Sequence, residues 1–413
     1  MSRIRRSWSG AFVAAAAVGT LAVTLIPGPA QASPKEAKAA AGTTAGATAN
    51  IEVIASKLNN PRGISVQADG TILVAESGVG KPGCAPGTKC VGLTGSVYRV
   101  KGTQQGRVVT GLASSAVAPT NPYEPISAAG PNDVEANGSG YLVLNGFGGG
   151  TDDRAKLGAD AAKLGTLQTA SGWVVGDPVK HETLLDPDWI LGHPANEEEA
   201  SIHSNAWRFA RNGRGFLVTD AGANDLIGVG FGGRTTTEAI FPDNELPAPG
   251  GAATAPSAKE KKALESLVPQ TKSVAADGTV KVQAVPSGIV KGADGAFYIA
   301  DMGGLRPGAS RIWRIVPGHR AEVFASGLTA VTDLAADKNG NLVALTLTGG
   351  FQQQGPPLPG KLSRIDVKTK AVTEIPTDGK LAMSTGLAVG PKNEIYVTNN
   401  SVGTEGQLIK ITE

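Results

Sequence analysis

Along most of the chain, apolar and polar side chains alternate in short runs that break at tight turns, and this period of two predicts β-strands. One unit is complete between Arg62 and Glu76. A strand starts at Gly63, turns at Asp69-Gly70 and returns to Glu76, with seven residues from Gly63 to Gly70 and six more to Glu76. The same spacing relates Gly288, Gly295 and Asp301, then Asp333, Gly340 and Thr346, then Gly386, Asn393 and Asn399. Asn393 stands where the others have glycine because Asn also tolerates positive φ. Ala206, Gly213 and Asp220 carry one extra residue, and Asp133, Gly140 and Asn145 one fewer, which makes six copies.

A third strand is predicted after most of these hairpins, at Ser96–Val100, Ser310–Ile315, Lys361–Ile365 and Gln407–Ile411. A fourth precedes the next hairpin at Ala321–Ala325 and Ala371–Ile375. Four antiparallel strands repeating about every 65 residues describe the blades of a propeller. The chain stops after the third strand of copy six, and Ile51–Ala55 is a spare strand before copy one. If that strand completes the last blade, the ring closes without an exposed edge. The expectation is an all-β fold: a six-bladed β-propeller over residues 51–413 with four-stranded antiparallel blades, its N-terminal strand closing the last blade. A short helix over Pro256–Leu267, with Ser257 and Glu260 spaced as a capping box, is expected as an insertion in blade four.

Composition narrows the classes. Glycine (56) and proline (26) are abundant and charged residues make up only 18%, a profile that disfavours a helical bundle, a coiled coil or a basic nucleic-acid binder. The net charge of +2 includes Arg3, Arg5 and Arg6 in an opening segment that holds no acid. The remainder is near neutral and calls for neither a nucleic acid nor a membrane surface as partner.

Residues 1–32 read as a signal peptide: a basic Met1–Arg6, an apolar run from Ala11 to Ile26, a Pro27–Pro29 break, and Ala30-Gln31-Ala32 as the cleavage motif, with the cut between Ala32 and Ser33. The run is shorter than the ~20 residues of a spanning helix, so no stable membrane anchor is expected. Residues 33–50, rich in Ala, Gly and Thr, read as a disordered linker. In a secreted, extracellular protein Cys84 and Cys90, which enclose a tight Pro/Gly loop, are expected to form a disulfide of roughly 2 kcal/mol.

Antiparallel pairing puts the start of each first strand and the end of each second strand on one face of the disc. Arg62, Asn132, Asn205, Ser287, Thr332 and Thr385 should therefore ring one mouth of the channel, with Glu76, Asn145, Asp220, Asp301, Thr346 and Asn399 just outside them. Such a collar of carboxylates and amides suits calcium among metal ions. Its side chains equally suit backbone hydrogen bonding at the strand-leaving turns. Asp186, Asp188, His193, Glu197–Glu199 and His203 gather acids and imidazoles in one loop, without the spacing of a helical or turn chelate, and read as a solvated loop. Two glycine strings, Gly78–Gly83 and Gly228–Gly233, open no helix and are not dinucleotide loops.

The series Gly95–Val100, Val109–Ser114, Ala129–Val134, Ser204-Asn205 with Thr219–Leu226, Val282–Gly288, Asp294–Tyr298 and Gly308–Ile315 resembles the ScyD/ScyE family of secreted bacterial propellers, over nearly all of residues 51–413. The resemblance implies a six-bladed ring related to NHL-repeat and gluconolactonase-like proteins, and carries over no catalytic residue. The gluconolactonase-like relatives hold calcium on the axis with a Glu, two Asn and an Asp. Asn132 and Asn205 resemble the two Asn positions, whereas Arg62 and Ser287 stand at strand starts where acidic partners would be needed.

Two functional readings follow. The first is an extracellular binding or scaffold protein, acting as a monomer on a small molecule or an extracellular protein, with Asn132, Asn205, Asp220, Asp301, Asn399 and Glu76 as ligand-binding candidates. The second is a calcium-dependent hydrolase or lactonase at the channel mouth. There Asn132, Asn205, Asp220 and Asp301 would hold the metal and Asp133 would be the general base.

Overall fold

The alternating runs do form strands, and they assemble into blades. The computed structural model describes residues 49–121, 124–191, 202–247, 271–274, 279–352 and 356–413. Blade one comprises Pro61–Val66, Ile72–Glu76, Lys89–Lys101 and Gln104–Val117, with the short strand Ala128–Ala129 at its edge. Blade two comprises Pro131–Asn137, Gly140–Asn145, Leu167–Thr169 and Val174–Gly176, and blade three Ala206–Asn212, Gly215–Asp220, Asp225–Val229 and Thr235–Ile240. Blade four comprises Pro286–Lys291, Phe297–Asp301, Ser310–Ile315 and Glu322–Leu328, and blade five Val331–Ala336, Leu342–Thr346, Leu362–Ile365 and Val372–Ile375. Blade six joins Gly386–Val389, Ile395–Asn399 and Gly406–Thr412 to the N-terminal strand Asn50–Leu58.

First strands of successive blades pack against one another, and that of blade six packs against that of blade one, so the ring is closed. Because side chains alternate across a strand, each second strand feeds two cores. Leu73 and Ala75 pack with Val134 and Val143 of blade two, while Ile72 and Val74 pack with Ala388 and Tyr396 of blade six. One apolar cluster of this kind fills each of the six junctions between blades.

The two faces of the ring differ. On the lower face four blades turn over the same five-residue loop, in which the N–H of Gly70, Gly295, Gly340 or Asn393 donates to the carbonyl three residues back. All four have positive φ, Asn393 at 70°. Blade two departs from the expected spacing. Its turn is Gly138-Ser139, Gly138 carries the positive φ, and Gly140 already begins the second strand opposite Asn137. Long connections gather on the upper face. Among them are residues 77–88 with the Cys84–Cys90 disulfide, whose Cα atoms are 6.5 Å apart, and residues 146–166 with a helix at Thr151–Lys156.

A second helix, Pro178–Leu185, follows blade two. Asp177 caps it through the Lys180 N–H, and proline at its first turn has no N–H to leave unpaired. Neither helix is expected from the apolar pattern. The helix expected over 256–267 lies outside the described residues, as does the segment 1–32. Strands Asn244–Pro247, Thr271–Val274 and Thr279–Val282 form a small extra sheet before blade four. No helix among the described residues is long and apolar enough to cross a membrane.

The closing strand runs from Asn50 opposite Thr412 to Leu58 opposite Gly406 and buries Ala55 and Leu58. A chain that begins at Asn59 should melt roughly ten degrees lower, since it loses several kcal/mol of burial and exposes an unpaired strand edge. An unchanged midpoint by differential scanning calorimetry would show that the strand is dispensable.

Candidate functional site

The first strands line the axis, so the residues at equivalent positions near the start of each meet at its centre. These six are Gly63, Asp133, Arg208, Gly288, Asp333 and Gly386. Three are glycine because there is no room for more. A Cβ on Gly63 would fall 2.2 Å from Asp133 Oδ1, one on Gly288 2.6 Å from Asp333 Cα, and one on Gly386 2.0 Å from the Arg62 carbonyl oxygen.

The other three form an ionic plug. Arg208 donates from Nε to Asp333 Oδ2 (3.1 Å), from Nη1 to the carbonyls of Asn132 (2.7 Å) and Trp207 (3.0 Å), and from Nη2 to the carbonyl of Thr385 (2.5 Å). One buried guanidinium thus ties blades two, three, five and six across the axis. The carboxylates reach sideways as well. Asp133 accepts from the Phe209 N–H of blade three and Asp333 from the Leu387 N–H of blade six. Burial raises both above the ordinary carboxylate range, against the opposing pull of Arg208, and brings Asp133 to about 7.

Above the plug lies the mouth, and its chemistry differs from the expected oxygen-rich collar. Strand pairing shows why. Ala206 pairs with Asp220 as Pro61 does with Glu76, Pro131 with Asn145 and Pro286 with Asp301. Trp207, rather than Asn205, is therefore the counterpart of Arg62, Asn132 and Ser287. Two guanidinium groups approach the half-buried Trp207 ring, with Arg62 6.0 Å and Arg208 5.4 Å from its centroid. Arg62 donates to the carbonyls of Ser401 (3.0 Å) and Ala128 (3.2 Å), while burial and then the charge of Arg208 lower it to about 10. Arg62 Nε, Trp207 Nε1 and Thr332 Oγ1 are buried without a hydrogen-bond partner. Ala221, Val285, Met302 and Leu305 pack on Trp207 as an apolar wall.

Most of the outer candidates are engaged with their own blades. Asp220 accepts from the N–H groups of Asn205 (2.5 Å), Gly222 (3.1 Å) and Ala223 (3.1 Å) and from Ser204 Oγ (2.5 Å). Asp301 accepts from the N–H groups of Val285 and Gly303, from Arg311 and from the Trp313 indole. Asn399 holds the Ala382 N–H and Ser384 Oγ. Glu76 holds the Asn59 N–H, Ser96 Oγ and Arg107. Asn145 donates to the Thr166 carbonyl. Only Asn132 and Asn205 are brought together, their amide groups flanking Gly146, and Asn132 already donates to the Ala206 carbonyl (2.9 Å). Of the acidic loop, His193 and Glu197–Glu199 lie outside the described residues. A separate cleft of about 320 Å³ opens on the lower face between blades three and four, beside His319 and Arg320.

Sequence reasoning does not single out Arg208 or Trp207: blade three turns over Gly213-Arg214, with Asn212 opposite Gly215, so the seven-residue spacing counted back from Gly213 lands on Ala206, two positions before Arg208. The alternation Ala206, Arg208, Ala210 was available, but nothing local marks Arg208 as axial.

No family model matches the chain, and no curated protein matches it. Among solved structures it is similar to a catalytically inactive virginiamycin B lyase from Staphylococcus aureus with quinupristin, at 12% identity over 89% of this chain and 99% of that one, TM-score 0.41. It is also similar to a streptogramin B lyase (11% identity, 88% and 97% covered, TM-score 0.43) and to a glucose dehydrogenase (11%, 88% and 99%, TM-score 0.42). At such values the likeness reaches no further than the general architecture, which the strand order establishes by itself.

Arg208→Met should cost about 3–5 kcal/mol by leaving Asp333 buried without its counter-charge. The Arg208→Met/Asp333→Asn double variant should recover part of that loss in chemical denaturation. Simple additivity of the two single changes would remove the plug from the account. Asp133 adds a pH signature. Its raised value means that the folded chain keeps a proton the unfolded chain loses, so this contribution to stability is full below about pH 4 and is lost as pH rises to about 7. Asp133→Asn should flatten that slope, whatever its effect on absolute stability. An unchanged slope would assign the titration to another group.

Proposed function

We propose that the protein is a secreted ScyD/ScyE-type propeller acting as an extracellular binding or scaffold protein, and that its axial mouth takes an acceptor-rich small molecule such as a sugar acid. One observation carries the reading: three buried donors without partners, Arg62 Nε, Trp207 Nε1 and Thr332 Oγ1, belong to the same axial ring. Buried donors are rarely left unpaired, and a carboxylate or hydroxyl-rich ligand would supply what they lack. The half-buried Trp207 ring with its apolar neighbours offers a stacking surface beside them. Secretion is supported by the basic, apolar and Ala30-Gln31-Ala32 pattern of residues 1–32 and by the disulfide.

The calcium-hydrolase reading of the same mouth has charge against it. Arg62 and Arg208 bring two positive groups to the place where the cation would sit, and Asp220 and Asp301 already accept several hydrogen bonds each. Asp133, the candidate base, has both oxygens on backbone N–H groups.

Tryptophan fluorescence and thermal shift with gluconate, glucuronate and neutral glucose test the proposal. The acids should give a saturable response that exceeds that of glucose. Arg62→Gln should weaken it about tenfold or more, equivalent to roughly 1.4 kcal/mol. A response to none of them, or equal responses from the wild type and Arg62→Gln, would reject an acceptor site at the mouth.

A further inference from the structure

Beside the mouth, and independent of it, lies a second concentration of oxygen ligands. Helix Pro178–Leu185 carries Glu182, ends in Asp186 with a left-handed backbone (φ 44°), and leads into a single 3-10 turn that carries Asp188. One carboxylate oxygen from each of these three acids lies within 4.8 Å of the other two. His181 on the same helix meets the hydroxyls of Thr235 and Thr237, which seats the helix on the outer strand of blade three. The turn between the second and third strands of that blade then brings up Asn224 and Asp225. Asn224 Nδ2 donates to Asp188 Oδ2 (2.7 Å) and joins the turn to the acidic segment.

Most of the cluster is buried, and several of its oxygens lack donors. Glu182 and Asp225 are 1% and 0% exposed. Both carboxylate oxygens of Asp225, Oε2 of Glu182 and Oδ1 of Asn224 have no hydrogen-bond partner, and neither Glu182 nor Asp225 has a salt bridge among the described residues. Asp225 lies close enough to Asp220, Glu182 and Asp188 to feel their charge. Burial, and then the charges of Asp220, Asp188 and Asp186, push Glu182 up to about 9, and burial with the charges of Asp220, Glu182 and Asp188 pushes Asp225 well above the ordinary range. A buried carboxylate with no donor destabilises the fold, and a coordinated cation removes that cost.

We propose that Glu182, Asp186 and Asp188, with Asp225 and the Asn224 amide oxygen from the blade-three turn, hold a structural calcium ion on the upper face. The donors are all hard oxygens drawn from three pieces of chain, as calcium accepts and zinc, which favours imidazole and thiolate, does not. The ion bolts the helical segment to the turn that follows Asp220. Asp220 in turn holds Ser204 and the Asn205 N–H, two residues before Trp207. Calcium at this position therefore orders the chain leading into the axial mouth without entering it.

The test is calcium titration of the purified protein after stripping with chelator, by isothermal calorimetry and elemental analysis, with the melting midpoint followed in parallel. Wild type should bind one equivalent and its midpoint should rise with calcium concentration. Asp225→Asn and Glu182→Gln should weaken binding about a hundredfold or more. In chelator Asp225→Asn should melt no lower than wild type, because it removes a buried acid with neither oxygen partnered; this separates lost binding from lost folding. Asn205→Ala should bind as wild type does. The proposal fails if wild type binds no calcium, if Asp225→Asn and Glu182→Gln bind normally, or if Asn205→Ala alone abolishes binding and so places the ion on the axis.

Discussion

The ring depends on one buried ion pair. Six first strands converge on an axis too narrow for six side chains, and the chain answers with three glycines, two aspartates and an arginine. Arg208 alone reaches four blades, and its partner Asp333 lies 125 residues further along the chain. A buried pair of this sort contributes little net stability compared with apolar packing. Its effect lies in what it forbids, because slippage of one blade relative to the others would strand a charge at the centre. The apolar clusters at the six junctions supply cohesion, whereas the plug supplies register.

Closing the axis also decides where chemistry can occur. With the channel blocked at the plug and the lower face reduced to short turns, polar groups become available on the upper face, where the long connections and the disulfide gather. The mouth is rich in donors and poor in free acceptors. The cluster under helix Pro178–Leu185 is the reverse, with acceptors that have no donors. The two sites lie on one face, joined through Asp220, and have opposite electrostatic character. An acceptor-bearing ligand and a cation can therefore be held side by side without competition.

Much of the architecture is legible in the sequence because it rests on local rules. Period-two alternation, a turn residue with positive φ and a spare N-terminal strand each leave a mark, and the ring follows. Where the turn shortens, as at Gly138-Ser139 in blade two and Gly213-Arg214 in blade three, the fixed spacing places the turn residue or the strand start two positions off. That small error replaced Trp207 with Asn205 at the mouth and turned a cationic ring into an oxygen-rich one. The Asp177-Pro178 cap was a readable helix signal hidden among connections that lack apolar periodicity. Burial of Glu182 and Asp225 is not legible at all, since acidic residues in a polar loop look solvated until a helix is laid over them.

A high-resolution crystal structure of the protein soaked in bromide and calcium, with anomalous scattering to distinguish the two ions, tests the axial assignment most directly. The account predicts an anion or acceptor oxygen within hydrogen-bonding reach of Arg62 Nε and Trp207 Nε1, with Arg208 still on Asp333 beneath it. A calcium peak on the axis against Asn132 and Asn205, or an open channel with Arg208 turned away from Asp333, would contradict it.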